Sequence, residues 1–121
     1  MADKRVVVTG MGVVSPLGLD ASSTWEAALA GKSGAGPITK FDASGYKTRI
    51  AAEVKDFDPL KWIDRKDLKK MDIFIQYAIA CTMMAMEDAG YQVSEEEAER
   101  VGVYIGAGLG GLHDVELQTA T

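Results

Sequence analysis

From Met71 to Met86 the sequence MDIFIQYAIACTMMAM is interrupted by polar side chains only at Asp72, Gln76 and Thr82. The stretch predicts a long helix from about Lys70 to Ala89, closed by Gly90. Its apolar side chains surround the axis instead of forming one stripe, among them Ile73, Phe74, Tyr77, Ile79, Met83 and Met86. A helix of that kind must be enclosed by a larger body, because a helix at a protein surface keeps a polar face. The rest of the chain therefore has to be read as material that packs around this element.

Two further segments carry strand signals. Val6, Val7 and Val8 are consecutive β-branched residues, and Arg5 to about Val14 reads as a strand buried on both faces, as at the centre of an α/β sheet. Pro16 and Gly18 end it in a turn. RVGVYIGAG predicts a second strand over Val101–Gly106. Between them, Ser23 and Glu26 form a capping box for a helix over Thr24–Ala30, with Trp25, Ala28 and Leu29 on one face and Gly31 as the C′ residue. Residues 31–58 read as loop, with YKTRIAAEV as a short edge strand within it, and residues 59–68 as short helical turns. Ser94 and Glu97 mark a short acidic helix. The resulting order, β-α-loop-α-α-β, is an α/β layout with a parallel crossover. GLGGLHDVELQTAT offers neither a helix cap nor a terminal strand, so the chain reads as one cut in mid-fold.

The glycines of VVVTGMGVVSPLG invite a dinucleotide reading. A G-x-G-x-x-G fingerprint needs a third glycine and a helix beginning beside it, with its N-terminus at the pyrophosphate. Here Ser15 stands in the third position, and Val13 and Val14 continue the apolar run. Gly10 and Gly12 are better read as points of close packing against a neighbouring element. Cys81 is the single cysteine, so no internal disulfide can form, which fits a reducing cytoplasm. Placed mid-helix among apolar residues, Cys81 has nothing to stabilise a thiolate and reads as structural. His113 is the single histidine; a metal cluster is not expected, and His113 reads as a surface-loop residue.

Net charge is -5, with a sequence pI near 4.8, which argues against a general nucleic-acid binder. No targeting segment is evident, and no stretch reaches the roughly 18 apolar residues of a membrane-spanning helix. Against this acidic background KWIDRKDLKK carries +3, from Lys61, Arg65, Lys66, Lys69 and Lys70 against Asp64 and Asp67. Residues 87–100 carry -5. The basic segment is open to two readings: a solvated helix face with local ion pairs, or a docking patch for an acidic partner. GAGLGGL is likewise open, either as an anion nest or as a strand end passing close to a substrate or second subunit, with Leu109 presented from flexible backbone.

Six blocks, RVVVTGMGVVSPLG, STWEAALAGKSG, FDASGY, DRKDLKKMDIFIQYAIA, AMEDAG and RVGVYIGAGLGG, occur in order along almost the whole chain. Together they resemble the N-terminal part of the β-ketoacyl-[acyl-carrier-protein] synthases, most nearly the synthase II type of bacterial fatty-acid elongation. The resemblance implies a thiolase-like fold, a layered α-β-α-β-α sandwich in the full enzyme and a homodimer. Residues 1–121 would be part of its N-terminal half, with the remainder of the enzyme absent. The implied reaction is a decarboxylating Claisen condensation of malonyl-carrier protein with an acyl thioester held on a cysteine. Two histidines and a lysine assist, and no metal or redox cofactor is needed. None of those catalytic residues falls within 1–121, so the segment alone is expected to be inactive.

Two sites carry over from the resemblance. Arg65, Lys66, Lys69 and Lys70 match the block that receives the acidic acyl carrier protein, and Gly108 and Leu109 match the segment that lines or gates the acyl pocket near the dimer interface. The location implied is cytoplasmic, with neither nucleic acid nor membrane insertion involved. A polyketide ketosynthase segment, a non-catalytic binding or dimerisation piece, and a nucleotide-dependent oxidoreductase are the alternatives, the last disfavoured by the missing third glycine.

Overall fold

A computed structural model describes residues 4–120, the side chains of His113 and Gln118 excepted. Its elements are helix α1 (Ala21–Leu29), strands β1 (Ala35–Pro37) and β2 (Ile50–Ala52), a 3-10 turn at Pro59–Lys61, and helix α2 (Arg65–Leu68). Helix α3 (Ile73–Ala89), a second 3-10 turn at Ala98–Arg100 and helix α4 (Leu112–Thr119) follow. The described residues divide into two compact units, residues 13–58 and residues 4–12 with 59–120.

In the unit formed by residues 13–58, α1 starts earlier than its capping box predicts. Asp20, in extended conformation, accepts from the Ser23 N–H at 2.7 Å and is the N-cap, while Ser22 and Glu26 bond to each other across the first turn. An aspartate competes well for this position, since its carboxylate meets both the orphan N–H and the positive end of the helix dipole. The same contact holds the Asp20 carboxyl below the ordinary aspartate range. Gly31 closes the helix as predicted. At φ 65° it donates to Ala28, and Lys32 donates to Ala27, each at 3.0 Å. The apolar face does not point where the periodicity suggested: Ala27 is buried, whereas Trp25 and Leu29 are exposed. Ser15, Gly18 and Thr24 instead tie the inner side of α1 to the turn before it, through a Ser15–Thr24 hydroxyl pair at 3.0 Å and a tight Ser15–Gly18 bridge.

The edge strand expected within YKTRIAAEV forms as β2. Its partner is β1, inside a stretch read as loop, with Ala35, Gly36 and Pro37 opposite Ala52, Ala51 and Ile50 in antiparallel register. Pro37 is tolerated because the sheet has only two strands and both are edges. Beyond the ladder, Glu53 clamps the returning chain. Its carboxylate accepts from the Thr39 hydroxyl at 2.7 Å and from the Thr39 and Lys40 N–H groups at 3.1 and 3.4 Å. The Thr39 hydroxyl, then the Thr39 N–H, lowers the Glu53 pKa. The folded value lies below the unfolded one, so the clamp's contribution is present above the ordinary glutamate range and is lost as pH falls through the lowered value. A carboxyl-carbon NMR titration should place the Glu53 midpoint below the ordinary value, and Thr39→Val should move it back up. A midpoint at the ordinary value in the unmodified chain would contradict the clamp.

In the second unit, α3 runs from Ile73 rather than Lys70. Asp72 in extended conformation caps it by accepting from the Ile73 N–H, which stops the helix from extending into the basic segment. Gly90, at φ 59°, ends it as predicted; it donates to Glu87 at 3.0 Å, and Tyr91 donates to Met86 at 3.1 Å. Gly10 and Gly12 lie along α3. A β-carbon on Gly10 would meet the Ala85 carbonyl oxygen and come within 2.7 Å of the Ala89 nitrogen. One on Gly12 would meet the Cys81 carbonyl oxygen and come within 2.9 Å of the Ala85 nitrogen. Residues 81, 85 and 89 form one stripe of the helix, and residues 10 and 12 share one side of an extended segment, so the two periodicities match. Met11, facing away between them, donates its N–H to Asp88 at 2.9 Å.

The two predicted long strands do not form among the described residues. Val6, Val7 and Val8 are 91%, 59% and 81% exposed, and Tyr104 is 99% exposed. β-branched composition states a preference, but a strand exists only through its hydrogen-bonding neighbour. The single described sheet is the antiparallel β1–β2 pair, so the parallel crossover is likewise not formed. The acidic helix expected at Ser94 is reduced to the 3-10 turn at Ala98–Arg100, with Ser94 bonded to Glu97 at 3.2 Å. The last segment forms a helix, α4, and His113 lies within it instead of on a loop.

Candidate functional site

The basic segment is built on a buried anchor. Trp62 and Ile63 both donate to the Pro59 carbonyl, at 3.0 and 2.9 Å, and Ile63 is buried. This seats the turn at Pro59–Lys61, which packs on α3. Asp64 in extended conformation opens the single-turn helix α2, and Lys69 ends it. The Gln76 side chain donates to the Met71 carbonyl at 2.8 Å and joins the end of the segment to α3.

Every basic side chain of this segment is exposed. Lys66 lies 3.6 Å from Asp64, and Lys70 lies 3.4 Å from Asp67. Pairs this exposed are worth about 0–1 kcal/mol and do little to fix the structure. Among the described residues Lys61, Arg65 and Lys69 form no ion pair. Arg65, Lys66, Lys69 and Lys70 are thus brought together on one short surface segment whose net charge stays positive, and no described packing depends on their charges.

Residues 105–110 face α3 across a groove of about 430 Å³, lined by Phe74, Tyr77, Ala78 and Cys81 on the helix and by Ile105–Gly110 on the loop. Apart from Tyr77 and Cys81, the lining residues are apolar or glycine; burial raises the Tyr77 pKa. Leu109 lines this groove while remaining 76% exposed. Gly108 also lines it, and a β-carbon there would meet nothing within 4 Å, so Gly108 is not required by close packing. Gly110 is different. A β-carbon on it would come within 2.9 Å of three carbons of the Phe74 ring. Gly111, at φ 80°, then turns the chain into α4.

Cys81 sits mid-helix with its carbonyl covered by Gly12, and the groove that it lines contains no cationic side chain. That environment suits a packed thiol more than a nucleophile. Among the described residues no group of three histidine, cysteine or acidic side chains could hold a metal ion, and no helix is long and apolar enough to cross a membrane. The acidic residues in the last turn of α3 and beyond it are partly engaged locally: Asp88 holds Met11, and Glu97 holds Ser94 and the Tyr91 hydroxyl.

Residues 3–121 match the protein family described as Beta-ketoacyl synthase, N-terminal domain. The chain belongs to that family. It is 53% identical over 116 residues to the 3-oxoacyl-[acyl-carrier-protein] synthase 2 of Coxiella burnetii, covering 96% of this chain. It is 51% identical to the protein of the same name from Vibrio cholerae, and 44% identical to that of Staphylococcus aureus. The chain spans 28% of the length of these curated relatives. Among solved structures, one described as the ishigamide ketosynthase/chain length factor aligns with a TM-score of 0.65 at 43% identity, over 71% of this chain and 21% of that one. The chain thus has a ketosynthase-type fold with mixed α/β content.

Within this β-ketoacyl synthase domain, the residues singled out from sequence fall into two places. Arg65, Lys66, Lys69 and Lys70 stand at the entry to α3, and Gly108 and Leu109 stand on the groove beside it. Phe74 was not singled out from sequence. It appeared only as one of many apolar residues on α3, and the available signal was the Gly110–Gly111 pair, which marks a backbone pressed against something bulky.

Proposed function

We propose that this segment belongs to a cytoplasmic condensing enzyme of fatty-acid elongation that acts on substrates carried by acyl carrier protein. The observation carrying this reading is 53% identity along 96% of the chain to a protein named 3-oxoacyl-[acyl-carrier-protein] synthase 2. The complete protein would be a homodimer with a thiolase-like layered sandwich. Its chemistry begins with transfer of an acyl group from the carrier to a cysteine thiol, with release of the carrier thiol. Malonyl-carrier protein then loses carbon dioxide, the carbanion attacks the acyl thioester, and the cysteine thiolate leaves as the β-ketoacyl-carrier product forms. The oxyanion-stabilising and nucleophilic groups lie outside residues 1–121.

The parts assigned to this segment are three. Gly10 and Gly12 let the first segment seat on α3 and build the scaffold. Arg65, Lys66, Lys69 and Lys70 attract the acidic carrier, and Leu109, with Gly108, borders the acyl pocket. The test is an assay of the full-length protein with malonyl- and acyl-carrier substrates, which should release carbon dioxide and yield a β-ketoacyl product two carbons longer. Absence of condensation with carrier-linked substrates would overturn the reading. A polyketide ketosynthase is the second reading; one similar structure is described as a ketosynthase/chain length factor, and repeated condensation to a poly-β-keto chain by the full-length protein would select it.

The pocket assignment makes its own prediction. Leu109→Ala enlarges the groove and Leu109→Trp fills it, so the two should shift the ratio of kcat/KM for long against short acyl chains in opposite directions, by roughly tenfold each. Identical chain-length profiles in both variants would remove Leu109 from the pocket.

A further inference from the structure

We infer that Phe74 is a positioning residue for the acyl-pocket loop, and that the Phe74–Gly110 contact sets where Leu109 stands. The inference rests on the assignment of Leu109 to the pocket and goes one residue deeper, to what holds Leu109 in place.

The geometry is specific. Leu109 has no packing of its own to fix it, being 76% exposed and flanked by Gly108 and Gly110. A β-carbon on Gly106 or Gly108 would meet nothing within 4 Å, so neither glycine is held by a close neighbour. Gly110 is held. Cδ1, Cδ2 and Cε1 of Phe74 each lie 2.9 Å from where its β-carbon would be, so the ring occupies the space that any side chain at 110 would need. The next residue is bounded by the same surroundings: a β-carbon on Gly111 would lie 3.5 Å from the Phe74 ring and 3.6 Å from Oδ2 of Asp72. The ring therefore lies against the backbone immediately after Leu109, whereas no atom crowds the β-carbon positions of Gly106 and Gly108 before it.

Phe74 is itself fixed from below. It lies in the first turn of α3, one residue after the Ile73 whose N–H the Asp72 carboxylate caps. In that turn Gln76 bonds back to Met71 at 2.8 Å. Side chain, cap and glycine thus form one contiguous support under the loop. A loop seated on the ring at Gly110 presents Leu109 at a distance from α3 set by the thickness of the ring.

The contact predicts a size-swap. In the full-length protein, Phe74→Ala removes the ring that supports Gly110, and Gly110→Ala pushes ring and backbone apart. Each widens the groove and should shift the long-to-short acyl kcat/KM ratio in the direction of Leu109→Ala. Phe74→Leu keeps both δ carbons that face Gly110 and should stay near the original profile. The double variant Phe74→Ala, Gly110→Ala places a methyl group where the ring was and should return the profile toward the original. The KM for carrier protein should stay unchanged throughout, which a general loss of structure would not allow.

The inference is overturned if Phe74→Ala folds, by circular dichroism and thermal melting, and keeps the original profile. It is also overturned if the double variant's shift is the plain product of the two single shifts, because the contact then carries no coupling. Should Phe74→Ala fail to fold, a double variant whose profile lies nearer the original than that of Gly110→Ala supports the contact, and one that lies no nearer overturns it. If Leu109 variants leave the profile untouched, the pocket assignment itself fails and this inference falls with it. If Leu109 variants shift the profile and Phe74 variants do not, only this inference falls.

Discussion

Gly12→Ala in the full-length protein is expected to cost about 3 kcal/mol of stability, whereas Gly45→Ala should be neutral or slightly stabilising. The two differ only in what surrounds the added methyl group. At Gly12 it would meet the Cys81 carbonyl oxygen and approach the Cys81 carbonyl carbon to 2.8 Å and the Ala85 nitrogen to 2.9 Å. All three are backbone atoms of α3, and a helix cannot turn its own backbone aside as a side chain turns aside by changing rotamer. The segment must lift away, taking with it the Gly10 contact on the same stripe and the Met11–Asp88 hydrogen bond. At Gly45 nothing lies within 4 Å and φ is not positive, so alanine loses only unfolded-state freedom. Urea unfolding with an unchanged denaturant slope is the measurement. Equal midpoints for the two variants would show that the glycines are not packing points.

This pair of glycines also shows how much of the fold the sequence could state. The missing third glycine and the continued apolar run disfavoured a phosphate loop, and close packing was the better role for Gly10 and Gly12. Helices α1 and α3 were legible from their apolar content and from Gly31 and Gly90. Their first residues were less so, because Asp20 and Asp72 each act as the cap although serines or lysines nearby extend the pattern. The long strands were misread because their residues state a preference that only a neighbour can satisfy, and none is present among the described residues. β1 was hidden for the opposite reason. Ala35, Gly36 and Pro37 have no strand preference, and their pairing is imposed by β2.

The candidate site was legible where it depends on charge or on a linear motif, and illegible where it depends on a contact between distant residues. Lys66, Lys69 and Lys70 cluster in the sequence itself. Phe74 and Gly110 are brought together only by the fold, and neither residue type alone signals a site.

Lys66→Glu, Lys69→Glu and Lys70→Glu together turn the segment from KWIDRKDLKK's +3 to -3. Little folding stability should be lost, since all three side chains are exposed and the two ion pairs broken, to Asp64 and Asp67, are weak surface pairs. An acidic carrier approaching the altered surface meets repulsion in place of attraction. The KM for acyl-carrier substrate should therefore rise by roughly 10- to 100-fold at low salt, with kcat little changed. The rise should shrink as salt is added, because the screening length falls from about 10 Å at 0.1 M to about 3 Å at 1 M. A small acyl thioester without the carrier should react with unaltered kcat/KM, which separates lost docking from damaged chemistry. Lys→Gln at the same three positions should give an intermediate KM, as expected if the effect follows charge and not side-chain shape. An unchanged carrier KM in the triple variant would leave the segment as a solvated helix face, the reading that its local ion pairs alone would support.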